Sequence, residues 1–379
     1  MNTNILTSFR FFAAFIVVIL HYGNSTGFAN LAKNFLTSGS QMVTFFFVLS
    51  GFVMTITYFN KPVFSIGDYF SSRIARIVPV YFLALFMSAG MFYSPEHWRD
   101  NTVGLFLNIV LLQSWFPPYP LSINMPAWSL SIEMFFYLVF PVVLIFLKKV
   151  NPKISIVFLS AMATYFITQF TLINLLNSSF YENFPSPSHD LIFYFPLSHF
   201  CSFLLGVSGA YFVLKSHIFN KFSNKIFWSV GFAICLVVVF LLLNNRGLTR
   251  TIGGNLIPLE SSFLGPIFLV LILFSVSGHN ILNKAFCLKP MIILGEASYA
   301  IYILQKPCFY LYKKFLWPLL GIGNDATYYV YWLLLVVVSV VVFYVYERPA
   351  KKVILGSWDY MKKSINKRAC PEEVLPAPN

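Results

Sequence analysis

The stretch TVGLFLNIVLLQSWF, residues 102–116, decides how this chain is threaded. It is apolar, but as a helix it would reach only about 22 Å, against the roughly 30 Å of a bilayer core. Its surroundings are less ambiguous. The chain has 379 residues, 58% of them hydrophobic and 10% charged, so apolar runs rather than a soluble core dominate it. Ten stretches are long enough to cross, near residues 5–22, 40–59, 76–94, 127–147, 154–174, 191–214, 226–243, 261–277, 290–311 and 328–346. If 102–116 does not cross, nineteen of the 26 Lys and Arg fall on one set of alternate loops and six on the other, with Lys306 inside a span. If it crosses, the lysine-rich loops at 148–153 and 215–225 and the basic tail move outside, against the positive-inside rule. The fold expected is therefore an all-α polytopic membrane protein of about ten transmembrane helices, both termini cytoplasmic, with 102–116 re-entrant or packed at the outer surface.

The net charge of +13 is explained by this sidedness, and no basic, aromatic-interleaved soluble segment supports nucleic-acid binding. A signal-peptide reading of residues 1–29 is disfavoured, because Arg10 lies far from the start and no small-x-small cleavage site follows. Cys201, Cys235, Cys287, Cys308 and Cys370 are scattered without metal or disulfide spacing, so no metal site is expected. His97, His189, His217 and His279 fall in loops and read as solvated. Residues 1–350 form one membrane domain, and 351–379 a basic cytoplasmic tail that anionic lipid would attract.

Charge inside a span is costly, about 2.5–3.5 kcal/mol on insertion scales, so Arg10, Glu133, Glu296 and Lys306 each require a partner or a function. In LTSFRFFAAFIVVILHYG (6–23) Arg10 and His21 stand eleven residues apart, which is three turns, about 16 Å, on nearly one helix face. The first span runs outward, so Arg10 lies at the inner end and His21 at the outer. The span 127–147 runs inward and puts Glu133 in its outer third, where it is expected to meet His21 and raise its basicity as a general base. At the inner face Arg73 and Arg76 stand at i and i+3 in FSSRIARIVPVYF, a spacing that suits bidentate phosphate binding. A phosphate-like anion site inside and a base outside suggest a group crossing the membrane on a phosphorylated carrier.

These residues resemble the integral-membrane acyltransferase family 3, which includes O-acetyltransferases of bacterial O-antigens, exopolysaccharides and nodulation factors. The marks are Arg10 and His21, FFFVLSGFVMT, Arg73 and Arg76, PAWSLSIEMFFYL, FLLGVSGAYF, SYAIYIL and YERPAKK. The resemblance implies acyl-CoA as co-substrate, usually acetyl-CoA, with no permanently bound cofactor. It implies a carbohydrate acceptor, free or lipid-linked, and a place in the bacterial inner membrane. By position His21 corresponds to the catalytic histidine, Arg10 to its motif partner, and Arg73 and Arg76 to the donor-binding arginines. Trp128, Ser129 and Glu133 correspond to the tryptophan-serine-leucine motif, and Ser298, Tyr299 and Gln305 lend motif or acceptor support. The family often has histidine where Gln305 stands, and arginine and glutamate where His199 and Ser202 stand. Some relatives add a C-terminal periplasmic hydrolase-like domain, and none is expected in the short tail after Pro349. A second class of reading remains, a transporter or flippase for a glycan or anion lined by the same charges. The absence of a repeat relating two halves weighs against it.

Overall fold

The computed structural model describes residues 3–23, 26–31, 33–92, 98–245, 251–252 and 254–369. His97, Arg246, Arg250 and Cys370 lie outside them, as do the side chains of Arg99, Lys367 and Arg368. The longer helices are α1 (Asn4–His21), α2 (Gln41–Tyr58), α3 (Ile66–Phe92), α4 (Trp98–Ile109), α5 (Trp128–Val150), α6 (Ile154–Leu176) and α7 (Pro196–Ser216). They continue with α8 (Lys225–Asn244), α9 (Gly265–Ser275), α10 (Lys289–Glu296), α11 (Ser298–Leu311), α12 (Asn324–Val342) and α13 (Arg348–Ala369). A two-residue ribbon pairs Thr251–Ile252 with Asn255–Leu256. Among the described residues eight helical segments are long and apolar enough to cross a membrane.

Two expected spans take another form. The stretch 261–277 yields only the eleven-residue α9, preceded by an irregular turn over Leu259–Phe263 in which Ser262 adopts φ 71°. The stretch 290–311 is broken at Ala297, whose ψ of −6° separates α10 from α11. Helix α4, which begins before the ambiguous stretch and covers it only as far as Ile109, has twelve residues, about 18 Å, too short to span.

The glycines in the quoted motifs mark where backbones touch. A Cβ on Gly51 of α2 would lie 2.1 Å from the Phe203 carbonyl oxygen, and one on Gly206 of α7 would lie 1.9 Å from the Val48 oxygen. Helices in a bilayer gain little from the hydrophobic effect and associate by such close approach of small residues. Gly206→Ala is therefore expected to destabilise the bundle by about 1–3 kcal/mol. Gly356→Ala, where a Cβ meets nothing within 4 Å, should be neutral or stabilising. Thermal unfolding of the two variants in detergent checks the contrast.

Prolines inside spans leave orphan carbonyls, because the ring carries no N–H for the residue four back. Pro141 frees the Tyr137 oxygen, and the Tyr69 hydroxyl donates to it at 3.0 Å. Pro307 frees the Ile303 oxygen, and the Asn124 amide donates to it at 3.0 Å. Lys306 donates to the Ile123 oxygen at 2.8 Å, so the same stretch of loop ties the segment before α5 to α11. These bonds hold α11 at the centre, with Ala300, Ile301, Ile303 and Gln305 fully buried. Helices α6 and α8 lie at the periphery and expose Phe166, Ile167, Phe170, Ile226, Val237 and Leu241, an apolar surface that fits lipid.

Glu296 and two of the loop histidines also find partners, while His217 is exposed, as expected. Glu296 pairs with Arg348 at 2.8 Å. His189 and His279 are not the solvated side chains expected. His189 stacks near Phe193, with ring centres 4.5 Å apart, and the ring of His279 bonds the Phe219 oxygen at 3.0 Å. Helical structure continues from α12 through residue 350 into α13, whose Trp358 and Lys362 bond Asp68 of α3 at 2.7 and 2.9 Å.

Candidate functional site

Two cavities lie one above the other along α1, an inner one toward its N-terminal end and an outer one toward His21. The inner one, of about 90 Å³, is lined by Arg10 of α1, Ser50 of α2, Arg73 and Arg76 of α3, Ser129, Glu133 and Tyr137 of α5, and Ser298, Tyr299 and Tyr302 of α11. The i, i+3 spacing turns both α3 arginines to one face, and α1 adds the third cation. The Arg73 guanidinium lies over two rings, 5.8 Å from the centre of Tyr58 and 5.6 Å from that of Tyr137. Such cation–π contact steadies a guanidinium without using its N–H donors. Its Nε is buried and has no hydrogen-bond partner among the described residues, a donor that an anion would satisfy.

Glu133 belongs to this inner cavity. Its Oε1 accepts from the Tyr137 hydroxyl at 2.5 Å and from the Ser50 hydroxyl at 3.4 Å. The expected His21–Glu133 pair is not formed. Glu133 lies five residues inward of Trp128, about 7.5 Å along α5, and its carboxylate is turned to the arginine cluster. Ser129, Ser298 and Tyr299 line the same inner cavity. Ser298 donates to the Gly295 oxygen at 2.7 Å, and Tyr299 to the Ile77 oxygen at 3.0 Å.

The outer cavity, of about 250 Å³, contains His21 with Thr37, Ser40, Trp128, Tyr194 and Glu260. Leu121 and Met125 bring the loop before α5 to its wall. The partner of His21 is Gln305, whose Oε1 lies 2.9 Å from Nδ1. The amide nitrogen of Gln305 donates to the Tyr302 oxygen at 2.7 Å, which fixes the orientation of the amide. Oε1 can only accept, so Nδ1 carries the proton and Nε2 keeps its lone pair. A neutral amide thus sets the tautomer in place of the carboxylate expected. Gln305→Leu is expected to lower turnover about tenfold, since it leaves a buried N–H unpaired. Donor binding should not change, and initial rates against a CoA-analogue binding curve test both halves of that statement.

Tyr302 and Val43 line both cavities. The Tyr302 hydroxyl lies 2.9 Å from Ser129 Oγ, so the Trp128–Ser129 dipeptide straddles the partition, Trp128 outside and Ser129 inside. The sequence reading missed Tyr302, Tyr194 and Glu260. Tyr302 sat in view within SYAIYIL, one turn before Gln305, and its helical spacing from Ser298 and Tyr299 was the available signal. His199, at the position noted above, is fully buried and structural: it bonds the Phe193 oxygen at 3.0 Å and lies 5.5 Å from the Trp128 ring.

Residues 4–348 match the acyltransferase domain of acyltransferase family 3. The chain belongs to that family. Among curated relatives it is similar to the acyltransferase MdmB of Streptomyces mycarofaciens, 31% identical over 39% of this chain and 41% of that protein. It is also similar to the O-acetyltransferase OatA of Staphylococcus aureus, 22% identical over 80% of this chain and 50% of the relative. The chain thus spans half or less of the length of these two relatives. An uncharacterized protein of Haemophilus influenzae is 27% identical over 62% of this chain and 98% of its own length. No solved structure matches the chain.

Proposed function

We propose that this family member moves an acyl group, most simply acetyl, from cytoplasmic acyl-CoA to a hydroxyl of a cell-surface carbohydrate across the bacterial inner membrane. The observation that carries the reading is the stacking of a three-arginine cavity beneath a histidine cavity with Tyr302 and Val43 as common wall. Arg73, Arg76 and Arg10 hold the phosphates of the donor, with charge-assisted and bidentate geometry. Glu133 offsets the three cations when the donor is absent and holds Tyr137 against Arg73. The slender thioester arm of the donor passes Tyr302 to reach His21, three turns outward.

At His21, Nε2 takes the proton of the attacking sugar hydroxyl as its oxygen bonds the thioester carbonyl carbon. The carbon–sulfur bond then breaks and the thiolate leaves, taking the proton from the imidazolium, which yields ester and free CoA. In a two-step variant Nε2 attacks the thioester carbon and the thiolate leaves; the sugar hydroxyl then attacks the acyl-imidazolium, the carbon–nitrogen bond breaks, and the hydroxyl proton ends on the thiolate as free CoA. Rapid-quench trapping of an acyl-histidine separates the two routes. The relatives named as acyltransferase and O-acetyltransferase support group transfer over transport. Reconstituted protein supplied with acetyl-labelled acetyl-CoA and membrane glycan should place label on the glycan and release CoA in equal amounts. Glycan that crosses the bilayer without gaining label would identify a transporter instead.

A further inference from the structure

The outer cavity holds more than a base. Glu260 lies on the irregular turn between Pro258 and α9, outside the quoted motifs, and that turn packs against α2 and α7. That turn is anchored on several sides: Gln169 donates to the Ser261 oxygen at 2.9 Å, Ser261 to the Ile192 oxygen at 2.8 Å, and Tyr165 to the Phe263 oxygen at 2.7 Å. Ser261 is thereby consumed in positioning the turn, while Glu260 remains exposed on the cavity wall. It forms no ion pair among the described residues. Across the same cavity Trp128 and Tyr194 meet edge to face, ring centres 4.9 Å apart. Among the described residues the cavity wall includes no Lys or Arg.

We infer that Glu260 and the Trp128–Tyr194 pair form the acceptor cradle, and that the sugar residue acylated there is neutral or amine-bearing rather than acidic. A carboxylate accepts from two vicinal hydroxyls at once, and a charged acceptor makes hydrogen bonds about twice as strong as a neutral one. The aromatic rings offer an apolar surface to the C–H face of a pyranose, with polar atoms at their edges. A uronate or phosphosugar would bring a second negative charge to Glu260 with no cation in the described wall to offset it, which rejects it by repulsion. This rests on the acyl-transfer reading and assigns its acceptor chemistry.

The test uses the whole protein in proteoliposomes, labelled acetyl-CoA, and the membrane glycan fraction of the source cells as acceptor. Glu260→Gln keeps the size of the side chain and removes its charge; it is expected to raise the acceptor KM about tenfold, with kcat within twofold and the acetyl-CoA KM unchanged. Mass spectrometry of the product should find the acetyl ester on a neutral or amino sugar. An unchanged acceptor KM, a fall confined to kcat, or acetyl found on a uronic acid would each overturn the assignment. The parent reading fails separately, by absence of any label transfer in the wild-type protein. CoA-analogue binding by Glu260→Gln at the wild-type level shows that the variant is folded.

Discussion

Replacing His21 with Ala is expected to abolish acyl transfer, by a factor of about 10²–10⁴, while leaving CoA-analogue binding close to wild type. The reason is geometric. His21 lies about 16 Å outward of Arg10 along α1, on the far side of the Tyr302 partition. Its tautomer is set by Gln305, so no group of the inner cavity depends on it. Glu133 provides the contrast. Had it formed a unit with His21, Glu133→Gln would reduce turnover by weakening the base, and the double variant would cost little more than His21→Ala alone. Placed against Tyr137 and Ser50, it should act on the donor side instead. Glu133→Gln is expected to shift acetyl-CoA dependence, and the shift in CoA-analogue binding should persist in the His21→Ala background, because separated sites behave additively. Glycan acetylation at matched membrane levels gives the first readout and equilibrium binding the second. Substantial transfer by His21→Ala would remove the histidine from the chemistry and turn attention to the Tyr302–Ser129 pair.

Depth was legible in the sequence; azimuth was not. Helix rise placed Arg10, Arg73 and Arg76 at one level and His21 about three turns outward, and the structure gathers the first three around one cavity. Glu133 was legible only as a costly charge in the outer part of its span, since a rise of 1.5 Å per residue fixes height but not which neighbour a side chain faces. Its five-residue offset from Trp128 moves it below the partition. The partner of His21 was hidden for another reason. Gln305 lies 284 positions away, and a neutral amide in a span raises no electrostatic alarm. Hydropathy also smoothed over two irregularities, the turn before α9 and the break at Ala297, because an apolar stretch reads alike whether its backbone is one helix or two. Glu260 was lost with the first of these, for the expected span 261–277 began just beyond it. The glycines of FFFVLSGFVMT and FLLGVSGAYF were visible as motif, but their purpose, a backbone crossing, needed both helices at once.

The double variant Arg73→Ala with Arg76→Ala is expected to raise the KM for acetyl-CoA about 100-fold or more, since hydrogen bonds to charged groups contribute about 1.5–3 kcal/mol each. Loss of affinity alone would not show that the arginines meet phosphate, because an emptied cavity also repacks. The sharper measurement compares two donors, acetyl-CoA and S-acetylpantetheine, which presents the same thioester without any phosphate. Wild-type protein should prefer acetyl-CoA strongly, and the double variant should lose most of that preference by slowing acetyl-CoA while sparing the truncated donor. The single lysine variants divide the contribution further. Arg76→Lys keeps charge and should retain part of the preference. Arg73→Lys should fare worse, because the Arg73 guanidinium lies over the rings of Tyr58 and Tyr137, and an ammonium has neither a flat face to lay on a ring nor a fork to present. Raised salt should weaken acetyl-CoA binding in the wild type more than in the double variant, by screening of the same phosphate charges. A double variant that still prefers acetyl-CoA over S-acetylpantetheine would leave Arg73 and Arg76 as markers of the inner face. The donor phosphates would then have to be sought elsewhere on that face, beginning with the lysines of α13.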